Sequence, residues 1–594
     1  MCGIAGYVGP RQAAPILLDS LQRLEYRGYD SCGLAVLNAG RAVLRRSVSP
    51  IARFRTEVLS TEIPGSIGLA HTRWATHGLV DIANAHPHVS CDGSILSVHN
   101  GVLENAFELR EQLERGGHRF TSTTDSEVIP HLLEQHLADG QTMDDAFRST
   151  LRDLRGSLAI IVARSGTEEL YVARRGSPLV IGVGDAEYFP ASDIPSFLPM
   201  TARVLYLQED EPVVITRSGL FIPASDVAGC RREPFGRSPV TLSLSAESMS
   251  KGTFDHYMLK EIIEQTETIE RLVEASAPTL AEAGALLSKA STIKFVGAGT
   301  SYHAAMFGQY LLAQAARIDS EACVSSEFEY RGPLLRPGAV VVALSQSGET
   351  ADTLEAVRTA QDAGARVIAV TNNELSSLAR VADVVVPLRS GPEIAVAATK
   401  SYTAQLVILF QIAQQVTRDP MVDTRALWQA RDSLLDLTSN SVRARVAELA
   451  GRFSGSPDLF LIGRGPQYIT ALEAALKLKE VAGIRAEAFH RGEMKHGPLS
   501  LVSEGTPVIL FYDEGDAPRA ELSAAELAAR GAHIFTVGPR RLRFSRVHLR
   551  TTEAGVATPI PQIVPMQLLA YEVAKLRQLD PDHPRNLAKS VTVL

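Results

Sequence analysis

The sequence predicts an α+β unit followed by two doubly wound α/β units, and three observations carry that reading. Across the first 220 or so residues, short apolar strand candidates cluster with few intervening helices, which reads as α+β rather than as a parallel array. From about residue 251, helical runs alternate with short, fully apolar strands, the texture of a parallel sheet covered on both faces. That texture then recurs. KFVGAGTSY has its tyrosine at 302 and FLIGRGPQY at 468, an offset of 468 − 302 = 166, while GARVIAVT begins at 364 and GAHIFTVG at 531, an offset of 167. Two matches at nearly one offset indicate a duplicated unit.

In chain order, the strand candidates of the first part are GIAGYVG, SIGLAHTRW, SILSVHNGVLEN, SLAIIVARSG, ELYVARRG and PLVIGVG, with helical patterns near 11–25, 104–116, 126–138 and 143–154. Residues 227–247 lose apolar periodicity and gain arginine, proline and serine, which reads as a linker. Beyond it the strand candidates are TIKFVGAGT, AVVVALSQS, ARVIAVTNN and ADVVVPL. The expected division is therefore 1–226, a linker at 227–250, 251–435, 436–580 and a tail at 581–594.

A chain of 594 residues is too long for one core. Its hydrophobic share of 45% and charged share of 21% are those of a soluble globular protein. The charge sum, 59 − 67 = −8, offers no basic excess for nucleic acid or an anionic membrane. Five cysteines, odd in number, widely spaced and without a CxxC pair, point to a reducing cytoplasm. MCGIAGYVGP lacks the basic region and apolar run of a signal peptide, and no run of about 18 apolar residues suggests a membrane span.

The chemistry begins at Cys2. Removal of Met1 would leave a thiol and a free α-amine on one residue, and an amine with an ordinary pKa of roughly 7.7–8.0 can serve that thiol as its base. Amide chemistry then needs neither a metal nor a separate triad. A thiolate attacking a primary amide also needs oxyanion donors, which Asn100 and the backbone N–H of Gly101 could supply. Arg73 could bind an α-carboxylate bidentately, and Asp125 could hold a substrate ammonium. Singly, these are a turn dipeptide, a surface charge and a helix cap; with Cys2 they form a glutamine site. His71, His77, His86, His88 and His99 invite a metal reading, but HPH chelates poorly and no carboxylate stands at a familiar ligand spacing, so they are read as structural.

In the second half, ALSQSGETADT sets Ser345, Gln346, Ser347, Gly348 and Thr350 between an apolar strand and a helix. Hydroxyls, backbone N–H groups and a helix N-terminus make a site for a phosphate monoester. The corresponding segment of the second repeat, ILFYDEGD, replaces the hydroxyls with acids, so one phosphate site per chain is expected. Lys477 and Glu480, three residues apart on a predicted helix, can pair. His496 sits in a glycine–proline loop and Lys589 near the C-terminus, and spacing alone promotes neither to catalysis.

The motifs MCGI, LEYRGYDS, HTRWATHG, NAHPH, HNG, SQSGETADT, ALKLKE, KHGPL and RNLAKSVTV run from end to end, and by them the chain resembles the glutamine–fructose-6-phosphate aminotransferase (isomerizing) family, the glucosamine-6-phosphate synthases. The resemblance implies an N-terminal-nucleophile glutaminase domain of αββα layering and two sugar-isomerase (SIS-type) domains. It implies that Cys2 forms a glutamyl thioester, that Asn100 and Gly101 form the oxyanion hole, and that Arg73, Trp74, Thr76, His77, Gly101 and Asp125 bind glutamine. It places Thr300, Ser301, Ser345, Gln346, Ser347, Thr350 and Val396 on the sugar phosphate. Lys589 would form a Schiff base, Glu480 would move the proton between C1 and C2 with Lys477 in support, and His496 would assist ring opening from the neighbouring subunit of a homodimer. L-glutamine and fructose 6-phosphate are the implied substrates, with no cofactor and no metal. The chain departs from the family pattern at Ala398, in VAGIRAEA, and at His490 and Arg491, which leaves open a different ketose phosphate as acceptor. A sensor that binds sugar phosphate without turnover is the remaining alternative.

Overall fold

Strand Gly3–Val8, buried along its whole length, lies within an eight-stranded antiparallel sheet. Its order is Val240–Thr241, Arg203–Tyr206, Val180–Val183, Tyr188–Ala191, Gly3–Val8, Ile67–Arg73, Ser31–Asn38 and Arg41–Ser47. The structure, a computed structural model, describes residues 2–38, 40–75, 78–224, 232–242, 249–275 and 278–592. The chain divides into two units, Met1–Ser250 with Ser590–Leu594, and Lys251–Lys589.

In the first unit a second antiparallel sheet, of seven strands, faces the first. Ile4, Val8 and Leu69 of one sheet share a core with Leu96, Val98, Ile161 and Val172 of the other. Helices Ala13–Arg23 and Ile51–Leu59 cover the outer face of the first sheet through Leu17, Leu21 and Phe54. Helices Ala106–Arg115, Val128–Ala138 and Met143–Asp153 cover the second through Leu109, Ile129 and Phe147. The layering is therefore αββα, and it explains why the central strands read as apolar runs: both of their faces are buried. Within the stretch read as a linker, Glu233–Pro234 pairs with Gly219–Ile222 and Val240–Thr241 with Arg203–Tyr206, each at a sheet edge.

The second unit holds two five-stranded parallel sheets of one topology. The first runs Glu321–Val324, Ile293–Gly297, Val340–Ser345, Arg366–Thr371, Val384–Pro387, and the second Arg485–His490, Asp458–Gly463, Pro507–Phe511, His533–Gly538, Val547–Arg550. Both follow the order 2-1-3-4-5, the doubly wound arrangement that opens a ligand crevice beyond the carboxyl ends of strands 1 and 3. Gly299 and Gly465, 166 residues apart, precede equivalent helices with φ of +53° and +58°, a conformation that glycine alone adopts readily. One hydrophobic core joins the halves, from Phe295 and Leu409 to Leu461, Leu568 and Tyr571. Among the described residues no helix is long and apolar enough to cross a membrane.

Candidate active sites

Pairing of Gly3 with Thr72 sets Cys2 beside the end of Ile67–Arg73. The Cys2 Sγ lies 3.4 Å from the backbone nitrogen of Trp74, which donates to it, and 3.6 Å from the Trp74 carbonyl. The Cys2 nitrogen donates to Asn100 Oδ1 at 3.4 Å. Asn100 is buried, and among the described residues its Nδ2 has no hydrogen-bond partner. An orphan buried amide donor costs about 1–3 kcal/mol unless a ligand accepts from it, and here it stands next to a thiol. The neighbouring Gly101 has φ +144°, and a Cβ there would meet the Ser157 carbonyl oxygen at 2.1 Å. Burial pushes the Cys2 thiol up from its ordinary value, against the opposing pull of the Trp74 N–H and the Arg73 guanidinium. The thiol therefore needs a base to reach the thiolate.

Arg73 is buried, and its guanidinium donates to the carbonyls of Leu79 at 3.1 Å and Gly78 at 3.4 Å. Asp125 accepts from the Leu103 nitrogen at 2.9 Å. Trp74 contributes backbone on both sides of the sulfur. Thr76 and His77 lie outside the described residues.

The remaining histidines pack together. His71 and His86 stack at 3.9 Å and His86 meets His88 edge-on at 4.3 Å. His71 Nε2 lies 3.0 Å from the His99 carbonyl, and His88 Nε2 lies 2.9 Å from Thr124 Oγ1. Burial holds His71 and His86 well below the ordinary imidazole value and pushes His88 down to about 3. These rings are neutral when folded. The unfolded chain binds protons on them below about pH 6.5, so stability falls as pH drops through that value towards 3, by roughly 1.4 kcal/mol per pH unit per ring. Thermal melts of the first unit at pH 7, 6 and 5 should show midpoints falling at each step; a flat profile would contradict the neutral cluster.

In the second unit the crevice of the first sheet collects the predicted phosphate residues. Ser345 ends strand Val340–Ser345, Thr350 caps helix Ala351–Asp362, and their hydroxyls lie 3.1 Å apart. Ser345 Oγ accepts from the Gly348 nitrogen at 3.0 Å, and Ser347 Oγ from the Glu349 nitrogen at 3.1 Å. Gln346 shapes the loop through its carbonyl, which accepts from the Asn372 nitrogen at 3.1 Å. Across the crevice, Thr300 and Ser301 open helix Thr300–Leu311, and Gln405 Nε2 donates to Ser301 Oγ at 2.9 Å. The Val396 nitrogen donates to the Asp582 carbonyl at 3.0 Å, tying the C-terminal segment to this half.

Helix Pro466–Glu480 of the second repeat contributes the charged groups. Lys477, fully buried, lies 2.6 Å from Glu480 and 3.3 Å from Glu473, and donates to Thr300 Oγ1 at 3.2 Å. Glu473 also accepts from Thr300 Oγ1 at 3.0 Å and lies 2.7 Å from His303 Nδ1. Burial alone would lower the Lys477 ammonium; Glu473 and Glu480 more than offset it and hold it above its ordinary value. Lys589 Nζ lies 2.6 Å from Glu393 Oε2. Burial opposes ionisation of Glu393, but Lys589 and Ser401 hold it down at about 2, so the carboxylate is charged. Lys589 thus rests on Glu393, and Glu480 on Lys477. His496 is exposed on the turn Arg491–His496, and among the described residues no hydrogen bond or ion pair joins it to either group.

The matching crevice of the second sheet carries a buried bidentate pair of Arg491 and Asp516, with Arg464 3.6 Å from the same carboxylate, while His490 stacks on Tyr468 at 3.5 Å. Two of the departures from the family pattern therefore have structural partners. Sequence reasoning missed Glu393, Glu473 and His303. Each partner comes from a distant segment, and the one available signal was the i,i+4 spacing of Glu473 and Lys477.

A half-buried thiol against an orphan amide donor, together with a hydroxyl-lined switch-point crevice backed by a lysine and carboxylates, defines a glutamine-using enzyme fused to phosphosugar-type domains. Comparison with known families agrees: residues 71–199 match the glutamine amidotransferase domain, and residues 286–414 and 453–538 the SIS domain. The chain belongs to the glutamine–fructose-6-phosphate aminotransferase (isomerizing) family. It is 42% identical over 614 residues to the Thermus thermophilus member and 40% identical over 601 residues to that of Pyrococcus horikoshii, each alignment covering 100% of both chains. The solved C-terminal domain of glucosamine-fructose-6-phosphate aminotransferase from Francisella tularensis is 32% identical, with a TM-score of 0.52 over 56% of this chain and 99% of that one.

Proposed function

We propose that the chain converts fructose 6-phosphate and L-glutamine to glucosamine 6-phosphate and L-glutamate. The observation that carries this reading is the presence of both sites in a chain matched over its full length by enzymes of that name. Cys2, freed by removal of Met1, attacks the glutamine carboxamide, and its own α-amine takes the thiol proton. Asn100 Nδ2 and Gly101 N–H receive the oxyanion. Ammonia leaves, and water releases glutamate from the thioester. Arg73, Trp74, Thr76, His77 and Asp125 orient the glutamine.

The phosphate sits on Ser301, Ser345, Gln346, Ser347 and Thr350, with Thr300 and Val396 beside the sugar. Lys589 gives up its proton and condenses with the C2 carbonyl, expelling water. Ammonia displaces the lysine, and Glu480, steadied by Lys477, carries a proton from C1 to C2. His496 is assigned to ring opening in a second copy of the chain, across a homodimer. The cytoplasm and the domain limits 1–226, 251–435 and 436–580 belong to the same reading.

Incubation with glutamine and fructose 6-phosphate, followed by product identification, tests it. Glucosamine 6-phosphate and glutamate in equal amounts are expected. Glutamate without amino sugar, or turnover only with another ketose phosphate, would overturn the assignment.

A further inference from the structure

Away from both sites, four side chains of the first unit converge on one point. They are Cys91, in the turn after strand His88–Val89; His118, beyond helix Ala106–Arg115; and His131 and Glu134 on helix Val128–Ala138. One ligand atom from each lies within 4.8 Å of all the others. Cys91 Sγ is 3.7 Å from His118 Nδ1 and 3.6 Å from His131 Nδ1, while Glu134 Oε2 is 3.0 Å and 3.4 Å from the same two nitrogens. Ligands on a tetrahedral zinc, at roughly 2.0–2.1 Å for nitrogen or oxygen and 2.3 Å for sulfur, would stand about 3.3–3.6 Å from one another.

The outer nitrogen of His118 fixes its tautomer. Gln135 Nε2 donates to Asp139 at 2.9 Å, which turns the Gln135 oxygen towards His118 Nε2 at 3.2 Å. His131 Nε2 faces the carboxylate of Glu127 at 3.8 Å, and Glu127 is itself held by Thr121 and Ser122. His118 Nε2 therefore carries the proton, and the His118 Nδ1 lone pair points at the Glu134 carboxylate and the Cys91 sulfur. The Cys91 and Asp92 backbone nitrogens hold the Glu134 carboxylate in place at 3.1 and 3.0 Å, and a cation between it, the His118 Nδ1 lone pair and the Cys91 sulfur would relieve the repulsion of these electron-rich atoms. Orienting partners on the far ring nitrogens are the usual support of metal-bound histidines. The Arg119 backbone nitrogen also donates to Cys91 Sγ at 3.2 Å.

We propose that Cys91, His118, His131 and Glu134 bind one Zn²⁺ per chain as a structural site. Two anionic and two neutral ligands neutralise a divalent ion, and four protein ligands leave no open position for catalysis. The ion would pin two separate segments, those of Cys91 and His118, against helix Val128–Ala138. The motif escaped sequence reading because its ligands fall at 91, 118, 131 and 134, with no metal-binding spacing between the first three.

The test uses the full-length protein, stripped with a chelator and titrated with Zn²⁺ against a competing dye. One equivalent should bind, and Cys91→Ser should weaken binding by at least about 100-fold. Cys91 is exposed, so this variant should keep its far-UV circular dichroism and glutaminase turnover. Co²⁺ should give a thiolate charge-transfer band with intense visible absorption in the wild type, and neither in Cys91→Ser. His131→Gln should lose the tetrahedral spectrum too. The proposal is overturned if the wild type binds no stoichiometric Zn²⁺, or if Cys91→Ser binds it equally well.

Discussion

Replacing Cys2 with alanine should abolish glutamine-dependent amino-sugar formation, by about 10⁴-fold or more, as expected when the nucleophile of a covalent mechanism is lost. Interconversion of fructose 6-phosphate and glucose 6-phosphate should stay within about twofold of wild type, since none of its groups touches Cys2. The physical reason lies in the burial of the thiol. With its pKa raised by desolvation, the sulfur is reactive only beside a base, and no other side chain in the described site stands close enough to serve. The two assays, run on one preparation, separate a local chemical loss from misfolding. Glutamine-dependent synthesis persisting in Cys2→Ala would remove Cys2 from the mechanism. Mass spectrometry of the wild type should also find Met1 absent.

Lys477→Met should carry the second large effect. It leaves Glu473, with no exposed surface, without its ammonium partner, and frees Glu480 from its 2.6 Å contact. Breaking one side of a buried ion pair costs about 3–5 kcal/mol, so the second unit should unfold at markedly lower temperature and denaturant concentration. Adding Glu473→Gln removes the stranded charge and should restore a good part of that stability, because coupled neighbours are not additive. Isomerisation should not return, since Glu480 still lacks its support. Denaturant melts and isomerase rates of the wild type and the two variants read the two consequences separately; equal stability losses in the single and double variants would contradict the stranded-charge account.

Much of this was legible in the sequence. The six strand candidates of the first part are strands, because fully buried strands leave unbroken apolar runs. The hairpin of Ser31–Asn38 and Arg41–Ser47 was not read. Its second strand, RAVLRRS, sets Arg41 and Arg45 four residues apart around a short apolar run on a half-exposed edge, a spacing shared with a surface helix. The four-residue strands Arg203–Tyr206 and Val213–Thr216 are too short to show a period. In the sites, single-segment motifs such as SQSGETADT could be read directly. Glu393 and Glu473 could not, since each gains meaning only from a partner that folding brings from far along the chain, Lys589 in one case and Thr300 with His303 in the other.

The repeat offset of 166 has an evolutionary corollary. Shifted back by it, Glu473 and Lys477 fall on Phe307 and Leu311 (473 − 166 and 477 − 166), both buried in apolar core. One helix face thus exists twice in the chain, once as hydrophobic filling and once as a charged relay. The copy whose crevice holds the Arg491–Asp516 pair is also the copy whose helix is polar at these positions and reaches Thr300 of the other half. Halves that differ in this way are no longer interchangeable: the buried ion pair of one needs the hydroxyl of the other.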